Sequence, residues 1–259
     1  MAVVYLAHDE HLDRAVAIKV LSAALSSAVD SDRFAREFSV LARLVHPNIV
    51  ALFDSGEVDR RKYYVMPFVA GDTIRTRLVH AGKMAPRDVA GFGADIAEAL
   101  AYAHGAGVVH RDVKPENVFT VGGRAILGDF GFAQVSADYS DATVAATLST
   151  HGLVPGTLAY SSPEQASGGK IDGRSDLYSL GCVLYEAVAG APPFTAPAPA
   201  GLLARHLTHV PAPLADLDDA VPPVLSAIVA QMLAKPPDAR PASANEVARS
   251  LRGIAEMPM

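Results

Sequence analysis

The chain has 259 residues and a formal net charge of −6; half of its residues are hydrophobic and 19% are charged. This composition excludes a wholly disordered chain, allows a sizeable core and argues against a nucleic-acid partner. No apolar run reaches the roughly 18 residues of a membrane span, and no signal pattern follows Met1. We therefore expect a soluble, cytoplasmic protein without a membrane segment.

The first part of the chain predicts two strand pairs and a helix. Residues 3–7 and 16–21 are rich in strand-forming side chains and flank a polar segment, which is typical of a β-hairpin. Ser31 is a good N-cap residue at the start of a helical pattern. The apolar positions of that pattern are Phe34, Phe38, Leu41 and Val45. Residues 49–53 and 63–66 indicate a second strand pair around a turn.

Two charged residues lie where apolar side chains are expected. Strand alternation puts Lys19 on the same face as Ala17 and Leu21. Glu37 lies beside the apolar stripe of the following helix. Because an unpaired charge is costly to bury, Lys19 and Glu37 predict an internal ion pair between the strand and the helix. From the residues alone, the alternative is that both side chains reach the solvent.

After residue 71 the pattern becomes mainly helical. One helix carries an apolar stripe and ends at the glycine-rich segment 104–107. The stripe consists of Val89, Phe92, Ile96, Leu100 and Ala103. Gly122 and Gly123 then indicate a hairpin turn between two short strands. A helix beginning near Arg174 is apolar nearly all round, which predicts burial on every side. The last helix opens at Ser243 with a capping-box pattern.

The most informative residues lie in two short motifs. Residues 110–117 read HRDVKPEN, and residues 129–131 read DFG. Phosphoryl transfer requires a group that orients and deprotonates a hydroxyl, cations near the phosphates, and oxygen ligands for magnesium. These motifs contain the residue types for such chemistry: a carboxylate in Asp112, a cation in Lys114, and side-chain oxygens in Asn117 and Asp129. A loop can easily contain one Asp or one Asn by chance, but this ordered set of residues is far less expected to arise in that way.

With these motifs the chain resembles the bacterial branch of the eukaryotic-type (Hanks-type) serine/threonine protein kinases. The resemblance covers almost the whole chain and implies an α+β, bilobal fold. It places a small β-rich N-lobe at residues 1–66, the hinge at 67–71 and a larger, mainly helical C-lobe at 72–259.

The resemblance also assigns the remaining site residues. Lys19 and Glu37 match the ion pair with which the family holds the ATP phosphates, because residues 16–19 read VAIK. The family's contacts to the adenine ring fall on Val4, Ala17, Met66, Pro67, Val69 and Phe119. Asp176 matches the residue that braces the catalytic loop. Glu164 and Arg240 match a structural ion pair at the end of the activation loop.

Residues 132–161 are rich in Ser, Thr, Ala and Gly and show no sustained periodicity. They occupy the position of the family's activation loop. Thr147, Ser149 and Thr150 are candidate phosphorylation sites, and Arg111 could pair with the added phosphate. The alternative is that Thr147, Ser149 and Thr150 are ordinary loop residues that are not phosphorylated. Thr157 together with Lys114 indicates specificity for Ser and Thr rather than Tyr.

The resemblance implies transfer of the ATP γ-phosphate to Ser or Thr hydroxyls of proteins, including the chain's own activation loop. The implied cofactors are ATP and Mg²⁺. The implied partners are protein substrates and a second copy of the kinase for trans-autophosphorylation. Small-molecule phosphotransferases share a similar loop core, but not an activation segment that ends in Ser-Pro-Glu at 162–164.

The chain departs from the family pattern at its start. The first strand and the glycine-rich loop that covers the ATP phosphates would lie upstream of Met1. Three explanations stay open at this point: a misplaced start, a degraded and catalytically impaired fragment, or a pseudokinase that acts as a binding scaffold. The presence of Lys19, Glu37, Asp112, Asn117 and Asp129 argues against the pseudokinase, since a scaffold needs none of them.

Overall fold

The computed structural model of the protein describes residues 2–28, 31–130 and 158–257. The strands are β1 (Ala2–Asp9), β2 (Arg14–Leu21), β3 (Asp54–Val58), β4 (Arg61–Pro67), β5 (Asp72–Thr73), β6 (Val118–Val121) and β7 (Arg124–Leu127). The described helices are α1 (Ala23–Ala28), α2 (Ser31–Leu41), α3 (Ile74–Ala81), α4 (Pro86–Gly105), α5 (Pro163–Ser167), α6 (Gly173–Ala189), α7 (Pro199–Thr208), α8 (Pro223–Met232) and α9 (Ala244–Ala255). None of these helices is both long and apolar enough to cross a membrane.

The described residues up to Pro67 contain an antiparallel sheet with the strand order β1-β2-β4-β3, together with α1 and α2. The register fixes which side chains share a face, because directly opposed residues point to the same side. Lys19 lies opposite Val4 on β1 and opposite Tyr64 on β4, and Ala17 lies opposite Met66. One face of this sheet therefore carries four of the predicted nucleotide-site residues together with Tyr64.

The predicted strand at residues 49–53 is wrong. The strand that forms a hairpin with β4 is β3, Asp54–Val58, and the two are joined by a turn in which Asp59 and Arg60 have φ angles of +50° and +60°. The buried Val50 instead bonds to the second sheet, where its N–H donates to the Leu127 carbonyl at 2.9 Å. Residues 49–53 have the apolar composition of a strand, but through Val50 this segment connects to the second sheet.

The second part of the protein is mainly helical, as expected. Residues from Ser175 to Val188 of α6 are buried, which confirms the prediction of a helix surrounded by protein. The α4 helix packs against α6 and α9, and its five predicted apolar positions are buried. The hairpin of β6 and β7 turns at Gly122 and Gly123, which have φ angles of +56° and +77° that favour glycine. An α+β arrangement of a sheet-rich part and a helical part results.

A buried ion pair ties α5 to the segment before α9. Arg240 donates from Nη1 and Nη2 to the two carboxylate oxygens of Glu164, at 2.7 and 2.9 Å. Both residues are buried, and Ser175 also donates to Glu164 at 2.5 Å. Burial alone would raise the pKa of Glu164, but the hydrogen bonds from Arg240 and Ser175 outweigh it and hold the pKa below its ordinary value. The predicted Glu164–Arg240 pair is confirmed.

We predict that Arg240→Met lowers the free energy of unfolding by about 3–5 kcal/mol, because it leaves a buried carboxylate without its cation. The folded-state pKa of Glu164 is depressed, so this stabilisation is complete above the ordinary pKa of 4.5 and is lost as the pH falls through the lower folded-state value. Urea titrations at pH 7 and pH 3 measure both effects, and the difference between the two proteins should shrink at the lower pH.

The matched control is Asp238→Ala, which removes the partner of Arg174 in an ion pair whose aspartate side chain is 92% exposed. We expect this change to cost less than about 1 kcal/mol. Equal losses in Arg240→Met and Asp238→Ala would contradict the importance given to the buried pair.

Candidate active site

Residues 110–117, called the catalytic segment below, lie between α4 and β6. The buried carboxylate of Asp176 fixes the start of this segment. Asp176 lies near the beginning of α6. Its Oδ2 accepts the N–H of His110 at 2.8 Å and a hydrogen bond from His104 Nε2 at 2.7 Å, and its Oδ1 accepts the N–H of Arg111 at 2.6 Å. Arg111 has a φ of +62°, an uncommon backbone angle for a residue with a side chain. The prediction that Asp176 braces this loop is confirmed.

The side chain of Asp112 is held on one oxygen. Lys114 Nζ donates to Asp112 Oδ2 at 2.7 Å, and Asn117 Nδ2 donates to the same oxygen at 3.1 Å. Among the contacts of the described residues, Asp112 Oδ1 receives no hydrogen bond. Asp112 therefore has an oriented carboxylate with one oxygen available to a hydroxyl group.

The two predicted magnesium ligands are connected through the backbone. The N–H of Gly128 donates to the carbonyl of Asn117 at 2.8 Å, which brings Asp129 next to Asn117. Asn117 Nδ2 also donates to the backbone carbonyl of Asp112 at 2.8 Å. This bond requires the NH₂ end of the amide, so the amide oxygen points the other way. An amide oxygen and a carboxylate form a donor set that suits Mg²⁺ completed by nucleotide phosphates and water.

Asp129 is in contact with the face of the first sheet. Lys19 Nζ donates to Asp129 Oδ1 in an ion pair, and the Tyr64 hydroxyl donates to the same oxygen at 2.7 Å. Burial opposes ionisation of Asp129, but Lys19 and Tyr64 outweigh it and hold its pKa below the ordinary value. Burial, reinforced by the Asp129 charge, raises the pKa of Tyr64 far above its ordinary value, so the phenol stays protonated and donates.

Lys19 therefore pairs with a carboxylate other than the predicted one. We expected Glu37, but the partner in the structure is Asp129, which also has the Tyr64 hydroxyl as a second donor. Glu37 lines a cavity of about 300 Å³ together with Arg111, Phe130, other residues of α2 and residues 107–109. The catalytic role of Glu37 stays a prediction.

The residues assigned to the adenine ring lie on both sheets. Val4, Ala17 and Met66 share the Lys19 face of the first sheet. Pro67 ends β4, and Val69 follows it with a half-buried side chain. Phe119 lies on β6 of the second sheet, and its ring is close to Gly128, where an added Cβ would be 2.8 Å from it. The contact of each residue with a nucleotide stays a prediction.

Sequence reasoning missed several polar residues near the catalytic segment. On α3, Arg75 donates from Nε to Glu116 at 2.8 Å, from Nη1 to Glu186 at 2.8 Å and from Nη2 to the Tyr160 hydroxyl at 2.5 Å. Tyr160 in turn donates to Glu186. Glu186 is a carboxylate within the apolar sequence of α6, which indicates that it needs a cationic partner. The sequence does not show which cation this is.

Several predicted residues lie outside the described part of the chain. They are Gly131, Thr147, Ser149, Thr150 and Thr157.

We predict that Asp176→Asn loosens the start of the catalytic segment. Asparagine keeps one acceptor oxygen but places an NH₂ group against a backbone donor or the His104 ring. The free energy of unfolding should fall by about 1–3 kcal/mol. Hydrogen exchange read by mass spectrometry should show faster exchange of the His110 and Arg111 amides. The control is Asp172→Asn at the exposed N-cap of α6, where asparagine caps equally well. Unchanged amide protection in Asp176→Asn would contradict the bracing role.

Comparison with known proteins agrees with this geometry. The family model described as the protein kinase domain matches residues 1–251. A probable serine/threonine-protein kinase of Streptomyces coelicolor is 42% identical, over 95% of this chain and 37% of the relative. The serine/threonine-protein kinase PknB of Mycolicibacterium smegmatis is 40% identical, over 99% of this chain and 41% of the relative. PknB of Mycobacterium tuberculosis is also 40% identical, over 97% of this chain and 40% of the relative.

The chain thus spans about two fifths of the length of these curated relatives. The family match covers nearly the whole chain, and the relatives share two residues in five with it. The chain therefore belongs to the protein kinase domain family, alongside bacterial serine/threonine-protein kinases.

Proposed function

We propose that this chain transfers the γ-phosphate of ATP to Ser or Thr hydroxyls of proteins, including hydroxyls of its own segment 132–161. The observation that carries the proposal is the arrangement of Asp112, whose Oδ2 is held by Lys114 and Asn117 while Oδ1 receives no bond from the described residues. The names of the related serine/threonine-protein kinases support the choice of acceptor.

In the proposed reaction, the substrate hydroxyl bonds to Asp112 Oδ1. Its oxygen attacks the γ-phosphorus, an O–P bond forms, and the bond between the γ-phosphorus and the β,γ-bridging oxygen breaks to release ADP. The hydroxyl proton passes to Asp112 and then to solvent. Lys114, already bonded to Asp112, stabilises the negative charge of the transferring phosphoryl group. The protein thereby contributes position and charge rather than a covalent intermediate.

Asn117 Oδ1 and Asp129 are the residues that we propose to hold magnesium, which supplies charge neutralisation on the phosphates when it is bound. Lys19 would then exchange its bond with Asp129 for the nucleotide phosphates and Glu37. Val4, Ala17, Met66 and Phe119 would enclose the adenine ring, and the backbone of Pro67 and Val69 would bond to its edge.

We propose Thr147, Ser149 and Thr150 as acceptors in the activation segment, with a second copy of the kinase as the donor enzyme. Arg111 supports this proposal, because it lines the cavity beside α2 together with Arg36. Two guanidinium groups at one cavity provide the charge that a phosphate group requires.

The first test replaces the proposed base. Asp112→Asn should lower the rate of phosphate incorporation into the chain and into a general protein acceptor by roughly 100- to 10,000-fold. Binding of MgATP, measured by calorimetry, should change little, because Asp112 is not assigned to the nucleotide. The matched control is Asp219→Asn, an exposed aspartate of the C-lobe, which should retain full activity.

The results separate three possibilities. Retained transfer in Asp112→Asn would reject the base assignment. Wild-type protein that phosphorylates a sugar or an antibiotic but no protein would indicate a small-molecule phosphotransferase. Wild-type protein that binds MgATP and transfers phosphate to neither acceptor would support the alternative of a catalytically impaired fragment or a pseudokinase.

The second test locates the phosphate. After incubation with MgATP, mass spectrometry should find phosphate within residues 132–161. The triple variant Thr147→Ala, Ser149→Ala and Thr150→Ala should lose most of this incorporation and should phosphorylate added substrates more slowly. Ser39→Ala with Thr208→Ala, which removes two exposed helix hydroxyls, is the control. Phosphate found only outside residues 132–161 would reject this assignment.

A further inference from the structure

The hydroxyl group of Tyr64, a buried residue, donates a hydrogen bond to Asp129, a proposed metal ligand. Its side chain is 2% exposed, and its hydroxyl lies 2.7 Å from Asp129 Oδ1. The ring packs in a small apolar cluster with Leu21 of β2 and Phe34 of α2. A phenylalanine ring would fill the same space, so the packing explains the aromatic ring and leaves the hydroxyl unexplained.

The position of the hydroxyl follows from the register of the sheet. Tyr64 on β4 lies directly opposite Lys19 on β2, so both side chains point from the same face towards Asp129. The neighbouring Tyr63 lies opposite Val20 and points to the other face. A buried hydroxyl needs a partner, and here the partner is a carboxylate, which makes a charge-assisted hydrogen bond.

The two donors act on the same oxygen of Asp129. Lys19 and Tyr64 both bond to Oδ1, and among the described residues no donor bonds to Oδ2. A carboxylate held through one oxygen has a fixed rotation and presents the other oxygen in a fixed direction. When Lys19 turns to nucleotide phosphates, as proposed above, Tyr64 is the donor that remains on Oδ1.

We propose that Tyr64 is a positioning residue, which orients the Asp129 carboxylate so that its Oδ2 receives Mg²⁺ bound with the nucleotide. The inference rests on the proposed function in one respect, the assignment of Asp129 as a magnesium ligand. Groups that hydrogen-bond to metal ligands commonly change metal affinity by 10- to 100-fold when they are removed. Tyr64 therefore acts on the metal through Asp129 and does not itself contact the substrate.

The test is Tyr64→Phe, with ADP binding as the readout. Calorimetry at fixed ADP with increasing Mg²⁺ gives the concentration of half-maximal magnesium effect, and the same titration in EDTA gives metal-free ADP affinity. We expect the half-maximal Mg²⁺ concentration to rise roughly tenfold in Tyr64→Phe. The ADP affinity in EDTA should stay within about twofold of the wild-type value, because the hydroxyl acts through the metal ligand.

Two further variants make the result specific. Tyr63→Phe removes a hydroxyl from the neighbouring residue on the opposite face and should behave as wild type. Tyr64→Met fills much of the same space without a hydroxyl and should repeat the magnesium effect. Thermal melting of each variant identifies those that are folded under the conditions of the titration.

The outcomes distinguish this proposal from the proposed function. A wild-type protein whose ADP binding does not respond to Mg²⁺ would reject the magnesium assignment and, with it, the role of Tyr64. A normal magnesium response that is equal in Tyr64→Phe would overturn the positioning role alone. Tighter magnesium binding in Tyr64→Phe would also overturn it, because the hydroxyl would then compete with the metal.

Discussion

The carboxylate of Asp176 accepts the N–H groups of His110 and Arg111, and the conformation of the catalytic segment depends on these two bonds. Arg111 has a positive φ, which costs roughly 1 kcal/mol or more for a residue with a side chain. Charge-assisted bonds to a buried carboxylate are strong enough to offset that cost. Because Asp176 belongs to a helix that is buried on every side, the loop is anchored to the core of the C-lobe.

Asp129 connects the two parts of the protein at the proposed metal site. It follows β7 of the second sheet, yet both of its side-chain donors, Lys19 and Tyr64, belong to the first sheet. These two donors compensate the partly buried carboxylate for the water that it has lost. In the proposed function, the nucleotide phosphates would offer Lys19 another set of anionic oxygens, so its ammonium group would change partners while remaining neutralised. The hydroxyl of Tyr64 would stay bonded to Asp129 in both arrangements.

The sequence predicted features that depend on local pattern and on family motifs. The hairpin of β1 and β2, the buried α6 and the Glu164–Arg240 pair are examples. The strand predicted at residues 49–53 was wrong, because the Val50 N–H donates to Leu127 of the second sheet, whereas the Phe53 N–H donates to Val65 of β4 in the first sheet. The sequence did not identify Tyr64 as a site residue. Tyr64 lies opposite Lys19 because of the register between β2 and β4, and that register cannot be read from the sequence of either strand. Arg75 was missed for a similar reason, since its partners Glu116 and Glu186 are distant in sequence.

The catalytic segment is held by contacts within the C-lobe at both ends. Asp176 fixes its start, and Arg75 bonds to Glu116 near its end while also bonding to the buried Glu186. The bonds that reach Asp129 from the first sheet are different, because in the proposed function Lys19 would exchange Asp129 for the nucleotide phosphates, while Tyr64 would stay bonded to Asp129. The orientation of Asp112, the proposed base, does not depend on these bonds, since its donors Lys114 and Asn117 belong to its own segment.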